Sequence, residues 1–314
     1  MSPLQPVRKA AIIGAGQMGL GIAYVSAVHA KIPITIHDPS SSVLSSALDR
    51  YKTLLSRDVS KSRLTQEEAD EALGKFRTVQ GDGSGEGPGE ALKDDVDLVI
   101  EAIPEIPDLK LGLFKRLGRL LPPSTILGSN TSSISITKLS ASAGLALGDG
   151  DARRQSSERV IGIHYFNPVP QMRLVEIIPA LQTSQDTIER AKAFGIACKK
   201  EVTTSADSPG FIANAILMPM INEAILVLEK GIATAKDIDT TFRLGMSHPM
   251  GPLTLADLIG LDTCLSIQRV LHNETGDSKY RPSGLLVRMV DAGWVGKKGG
   301  KGFYEYDAKG NKIE

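Results

Sequence analysis

The chain has 314 residues, with 36 Lys and Arg against 36 Asp and Glu, so its formal charge is zero. That balance excludes a basic nucleic-acid binder, and 41% hydrophobic against 23% charged residues is a globular composition with length enough for two domains. Cys198 and Cys264 are the only cysteines and form no C-x-x-C pair, which sets aside a disulfide framework, zinc and dithiol chemistry and predicts a reducing compartment.

Residues 1–9 lead at once into an apolar strand, leaving no room for a signal or transit sequence, and the last residues match no peroxisomal tripeptide. The most apolar stretch, Phe211 to Leu228, is interrupted by Asn214, Pro219, Asn222 and Glu223, so it falls short of a membrane span. A cytoplasmic protein without membrane contact is expected, with the mitochondrial matrix as the alternative.

Ala10 to Ile13 is a short apolar run closed by Gly14-Ala15-Gly16-Gln17-Met18-Gly19 and followed by small and apolar residues to Val28. The order reads strand, tight turn, helix. A second β-branched run, Ile32 to Ile36, ends at His37-Asp38-Pro39, where the proline and the serines after it start a helical stretch from about Val43 to Phe76. Residues 81–90 read as a Gly-rich flexible loop and 144–157 as a second polar insertion of the same kind.

Val96–Ile103, Ser124–Leu127, Val160–Ile163 and Leu174–Ile178 are four further strand candidates, the first two joined by a helical pattern from Leu109 to Leu121. Strand alternating with helix predicts an α/β domain with a Rossmann-type, mostly parallel sheet. After Asp207-Ser208-Pro209-Gly210, read as an N-cap serine with proline at the first helical position, helical patterns take over to Trp294. The expected domains are 1–205, binding a dinucleotide, and an all-helical 206–314. Thr234 with Asp237, and Gly251-Pro252, mark helix starts inside the second.

In the Gly-rich turn, Gly14 makes the bend, Gly16 admits a pyrophosphate and Gly19 lets helix pack on strand, while the helix N-terminus offers free N–H donors to phosphate. Asp38 follows Gly19 by 19 residues at the end of the second strand, where a carboxylate accepts from ribose hydroxyls. NAD is thereby favoured over NADP. A helix cap remains the competing reading of Asp38.

Asn130-Thr131-Ser132-Ser133 stands at a strand end, where doubly wound sheets place ligands, although on its own helix capping is the better reading. His164 closes a strand, and Glu176 is the only acid in the next apolar run, where a buried carboxylate needs a partner. The two read as a base with its orienting carboxylate, or as a core histidine with an unrelated surface glutamate. No metal-ligand spacing is present.

Together Gly14-x-Gly16-x-x-Gly19, Asp38, Glu101-Ala-Ile-Pro-Glu105, Ser129-Asn-Thr-Ser-Ser133, Gly162-Ile-His-Tyr-Phe-Asn-Pro-Val169, Asp207-Ser-Pro-Gly-Phe-Ile-Ala-Asn214 and Gly299-Gly-Lys-Gly-Phe-Tyr304 resemble the L-3-hydroxyacyl-CoA dehydrogenase family, in order and along nearly the whole chain. The resemblance implies His164 as catalytic base, Glu176 as the carboxylate orienting it, Ser132 as hydrogen-bond donor to the substrate 3-oxygen, and Asn214 as a substrate-positioning amide supplied by the second domain. It further implies Glu105, Lys110, Ser132, Asn167 and Lys298 at the NAD, an acyl-CoA substrate and a homodimer formed through the helical domain. For Lys110 and Lys298 a solvated-surface role competes.

The implied reaction is reversible oxidation of an L-3-hydroxyacyl-CoA to the 3-ketoacyl-CoA, as in fatty-acid β-oxidation or short-chain acyl-CoA metabolism. A hydroxyacid or gulonate-type NAD dehydrogenase on the same scaffold, and a catalytically idle NAD-binding protein, are the alternatives. Arg50, Lys52, Arg57, Lys61 and Arg63 form the candidate basic patch for CoA phosphates, with Lys61 chosen as a substrate contact.

Overall fold

Residues 4–81, 92, 96–145, 147–148 and 150–313 are described by a computed structural model, and the chain divides into two compact units, 1–208 and 209–314. The first unit is built on eight strands: β1 (Ala10–Ile13), β2 (Ile34–Asp38), β3 (Phe76–Gln80), β4 (Leu98–Glu101), β5 (Ile126–Ser129), β6 (Val160–Tyr165), β7 (Leu174–Pro179) and β8 (Glu201–Thr204). Their order across the sheet is β3-β2-β1-β4-β5-β6-β7-β8. Every neighbouring pair is parallel except β6 with β7.

The inner strands are buried along their length, which explains why they read as unbroken apolar runs rather than alternating ones. Chain order reverses at β1 and β4, and the crevice outside the carboxyl ends of such a pair is where open α/β sheets take ligands. Helices α1 (Gln17–Val28), α2 (Ser41–Ser60), α3 (Gln66–Gly74), α4 (Pro107–Leu120), α5 (Ile136–Leu145), α6 (Asp151–Glu158) and α7 (Gln185–Ala197) connect the strands. This is a Rossmann-type α/β unit.

Four local expectations need correction. The stretch Val43 to Phe76 is two helices, because Thr65 and Glu68 form a reciprocal capping box that opens α3, and Phe76 starts β3 with its ring stacked 4.1 Å from Tyr51. The polar segment 144–157 is largely helical. Its Ser157 ties α6 to α5: Ser140 Oγ donates to the Ser157 carbonyl and Ser157 Oγ to the Ser140 carbonyl, at 2.9 and 3.1 Å. A Cβ on Gly144 would stand 2.4 Å from Ser157 Oγ, so α5 and α6 approach only because that side chain is missing.

Ser208 caps no helix, since Gly210 and Phe211 take left-handed φ of +78° and +52° and α8 begins only at Ala213. Its neighbour Asp207 caps α5 instead, accepting from the Ile136 and Thr137 amides at 2.9 and 2.7 Å. The second unit does not stay helical to its end either, because a short hairpin follows its last helix. Of the Gly-rich segment 81–90, only Gly81 lies among the described residues.

The second unit comprises α8 (Ala213–Glu229), α9 (Ala235–Thr240), a π-helical turn at Thr241–Gly245, α10 (Pro252–Ile259), α11 (Leu261–Thr275) and α12 (Gly284–Asp291). The antiparallel hairpin β9 (Glu305–Tyr306) and β10 (Lys312–Ile313) closes it. Met218, Ile221, Ile225, Leu253, Leu265 and Leu286 lie in its own apolar core. Both cysteines are buried and free, and among the described residues no helix is long and apolar enough to cross a membrane.

Candidate active site

Gly14 follows β1 with φ +102°, and a Cβ there would lie 2.6 Å from the Ala102 carbonyl oxygen, so only glycine fits the turn. A Cβ on Gly19 would meet the Gly14 carbonyl oxygen at 1.9 Å, whereas one on Gly16 would meet nothing within 4 Å. Gly14 and Gly19 are thus required by packing, and Gly16 opens space over the N-terminus of α1, which has no side-chain cap and no acid in its first turn. That combination fits a pyrophosphate.

Asp38 ends β2, and the cap of α2 is Ser40, whose hydroxyl accepts from the Val43 amide. Asp38 Oδ1 accepts from the Ser40 amide and its Oδ2 from the Ala15 amide, each at 3.0 Å, tying the strand end to the Gly-rich turn. Gln17 Nε2 donates to Asn167 Oδ1 at 2.9 Å, so the N-terminus of α1 is linked to the loop after β6. Met18 stands beside Gln17 in the first turn of α1.

His164 and Glu176 face each other in the antiparallel β6/β7 register. The twelve-residue spacing is therefore one hairpin's worth of chain, and it brings His164 Nδ1 to 2.8 Å from Glu176 Oε2, with both side chains buried. Phe166 covers one side of the imidazole, with ring centroids 4.7 Å apart. Asn130 Oδ1 accepts from the Tyr165 amide at 2.8 Å and so fixes the end of β5, where the Ser132 turn begins, to the residue after His164. Position along the chain gave no sign of that bridge.

Lys110 is 1% exposed, which removes the solvated-surface reading. Its Nζ lies 2.7 Å from Glu101 Oε1 and 2.9 Å from Glu105 Oε2. Glu105 turns its other oxygen on the Ser132 turn, accepting from the Thr131 hydroxyl and from the Ser132 and Ser133 amides at 2.5, 2.9 and 3.2 Å. Burial alone would raise the Glu105 pKa, but Lys110 and these donors hold it below the usual carboxylate value. Glu101 is pushed up by its burial against the same lysine, Ser129 and the Ile103 amide.

Glu101 is the residue whose place sequence reasoning missed. It is an acid closing an apolar run, the same signal that singled out Glu176, and its partner stands nine residues ahead at Lys110. Lys298, in the second unit, is half exposed and paired with Asp262 at 2.7 Å. Asn214 is buried in the first turn of α8 of that unit. Within the basic patch, Arg57 and Arg63 approach Asp58 at 3.6 and 3.5 Å, which offsets part of its charge, while Lys61 is exposed just beyond the end of α2.

The sequence matches the family model of the 3-hydroxyacyl-CoA dehydrogenase NAD binding domain over residues 9–208 and that of the 3-hydroxyacyl-CoA dehydrogenase C-terminal domain over residues 210–306. It is 45% identical to a 3-hydroxybutyryl-CoA dehydrogenase of Bradyrhizobium diazoefficiens, with 96% of each chain covered. A probable 3-hydroxybutyryl-CoA dehydrogenase of Bacillus subtilis is 43% identical over 96% of this chain and 99% of its own. The crystal structure of (S)-3-hydroxybutyryl-CoA dehydrogenase PaaH1 from Ralstonia eutropha superposes with a TM-score of 0.86 at 41% identity, covering 96% of this chain and 99% of that one. The chain belongs to the 3-hydroxyacyl-CoA dehydrogenase family and is an NAD-binding oxidoreductase of it.

Proposed function

We propose that the protein interconverts a short-chain L-3-hydroxyacyl-CoA and its 3-ketoacyl-CoA, with 3-hydroxybutyryl-CoA as substrate. The carrying observation is the buried 2.8 Å pair of His164 Nδ1 and Glu176 Oε2 at strand ends of a dinucleotide-binding sheet. An ionised carboxylate only accepts, so Nδ1 donates to Glu176 and Nε2 is the nitrogen that takes the proton of the substrate hydroxyl. Bound NAD⁺ supplies the hydride acceptor for the hydrogen on C3. As the C3 carbonyl forms, Glu176 stabilises the imidazolium, and the Ser132 hydroxyl donates to the substrate oxygen.

In the reverse direction the imidazolium returns its proton to the oxygen at C3. Gly14, Ala15, Gly16, Gln17, Met18 and Gly19 hold the pyrophosphate side of the cofactor and Asp38 its ribose, with Glu105, Lys110, Asn167 and Lys298 as further cofactor contacts. Asn214 and Lys61 bind substrate, the first through its amide and the second through CoA phosphate. The boundary of the cofactor domain near residue 205, a homodimer through the helical unit and a cytoplasmic location complete the reading, the last supported by the bacterial sources of the relatives.

The deciding assay follows NADH oxidation with acetoacetyl-CoA. His164→Ala is expected to lower kcat by about 10²- to 10⁴-fold, the usual worth of a general acid–base group. Full activity in that variant would end the assignment.

A further inference from the structure

Glu101 touches none of the residues assigned to chemistry, yet it is the most completely enclosed acid near them, at 0% exposure. Its two oxygens are divided between two chains of contacts. Oε2 accepts from the Ser129 hydroxyl at 2.6 Å, and Ser129 Oγ in turn accepts from the Thr131 amide at 3.2 Å. Oε1 accepts from the Ile103 amide at 2.8 Å and from Lys110 Nζ at 2.7 Å. Lys110 passes to Glu105, whose Oε1 holds the Thr131 hydroxyl and the Ser132 and Ser133 amides.

Both routes end on the same three-residue turn. The first fixes its entry at Thr131 and the second gathers its amides around one carboxylate oxygen. Because Glu101, Lys110 and Ser129 are buried and each contact joins one donor to one acceptor, displacing Glu101 shifts the turn from two directions at once.

We propose that Glu101 and Ser129 are positioning residues for the Ser132 hydroxyl, acting through the Thr131–Ser133 turn. The proposal rests on the dehydrogenase reading above. On that reading Ser132 donates to the substrate oxygen, and small misplacements of such a donor cost large factors in rate.

A double-mutant cycle on kcat tests this, with Ser129→Ala and Ser132→Ala measured singly and together using acetoacetyl-CoA and NADH. Ser129→Ala is expected to lower kcat about tenfold, with the Kd for NADH, read by fluorescence, unchanged. Combined with Ser132→Ala it should lower kcat no further than Ser132→Ala alone, because the positioned group is already gone. Independent, multiplicative losses, or full activity in Ser129→Ala, overturn the positioning role.

Glu101→Gln places an amide against Lys110 and should lose more kcat than Ser129→Ala; should it fail to fold, the serine cycle decides alone. A wild-type protein inert toward acetoacetyl-CoA overturns the dehydrogenase reading and the positioning role with it. An active wild type with a multiplicative cycle overturns only the latter.

Discussion

Each unit holds a pair of neighbouring carboxylates, and the two pairs are satisfied in opposite ways. In the sheet unit Glu101 and Glu105 share the ammonium of Lys110. In the helical unit Asp257 accepts from the Phe303 and Tyr304 amides and the Tyr306 hydroxyl at 2.9, 3.0 and 3.0 Å. Asp239 accepts from the Leu253 and Thr254 amides and the Tyr304 hydroxyl at 2.9, 3.0 and 2.8 Å. The helical pair staples the C-terminal segment to α10 with neutral donors, and this is what Gly299-Gly-Lys-Gly-Phe-Tyr304 accomplishes: a Cβ on Gly302 would lie 2.0 Å from Asp257 Oδ1. The sheet pair draws a cation into the core beside the Ser132 turn. Charge is compensated where a donor must be aimed, and dispensed with where a tail must be held.

The largest effect expected from this contrast is that of Lys110→Met. It leaves the buried Glu101 carboxylate without its cation, and breaking such a pair costs about 3–5 kcal/mol. Glu101, already raised by burial, rises further and becomes protonated in the folded variant. A carboxyl whose folded pKa exceeds its unfolded one loses stability as the pH climbs between the two. The penalty should therefore be smaller at pH 5 than at pH 8 in thermal unfolding followed by circular dichroism. A penalty that shrinks toward alkaline pH would refute the charge-paired description.

Much of this was legible in the chain, for identifiable reasons. The parallel sheet announces itself because its inner strands are apolar on both faces, and the dinucleotide turn because Gly14 takes a left-handed φ and Gly19 packs on the Gly14 carbonyl within the same turn. His164 and Glu176 are legible as a candidate pair because an acid in a buried strand demands a partner and a hairpin supplies it. What stayed hidden lies where polar residues pair with one another rather than with water. The serines of α6 read as loop, and the edge strands β3 and β8, exposed along much of their length, offer no apolar run. The Glu101, Lys110 and Ser129 contacts join three separate segments, and no local spacing encodes them.

His37 is the limiting case of the comparison, a buried polar ring with no partner of either kind. It is 1% exposed, and neither ring nitrogen has a hydrogen-bond partner among the described residues. Burial lowers its pKa to about 4 from 6.5. Below pH 6.5 the unfolded chain binds a proton that the folded one refuses, so stability falls as the pH drops toward 4 and levels off beneath it. A difference of that size is worth about 3 kcal/mol. His37→Leu should remove this part of the acid slope in urea unfolding between pH 7 and 4; an unchanged slope would mean the ring is protonated in place.

The smallest effect belongs to the helical staple. Asp257→Asn keeps one acceptor oxygen and turns the other into an amide facing donors, which costs about 1–2 kcal/mol for the hydrogen bonds lost. The sign of its pH dependence separates it from Lys110→Met. Burial raises the Asp257 pKa, so the wild-type carboxyl itself gives up stability as the pH rises from the unfolded value through the folded one. Asparagine does not titrate, and the gap between wild type and Asp257→Asn should narrow with rising pH while that of Lys110→Met widens. Because Asp257 holds a tail segment of the helical unit, kcat for acetoacetyl-CoA should stay within about twofold of wild type where both are folded, as for a substitution that leaves the transition state untouched. Parallel pH trends in the two variants would erase the distinction between a carboxylate held by a cation and one held by neutral donors.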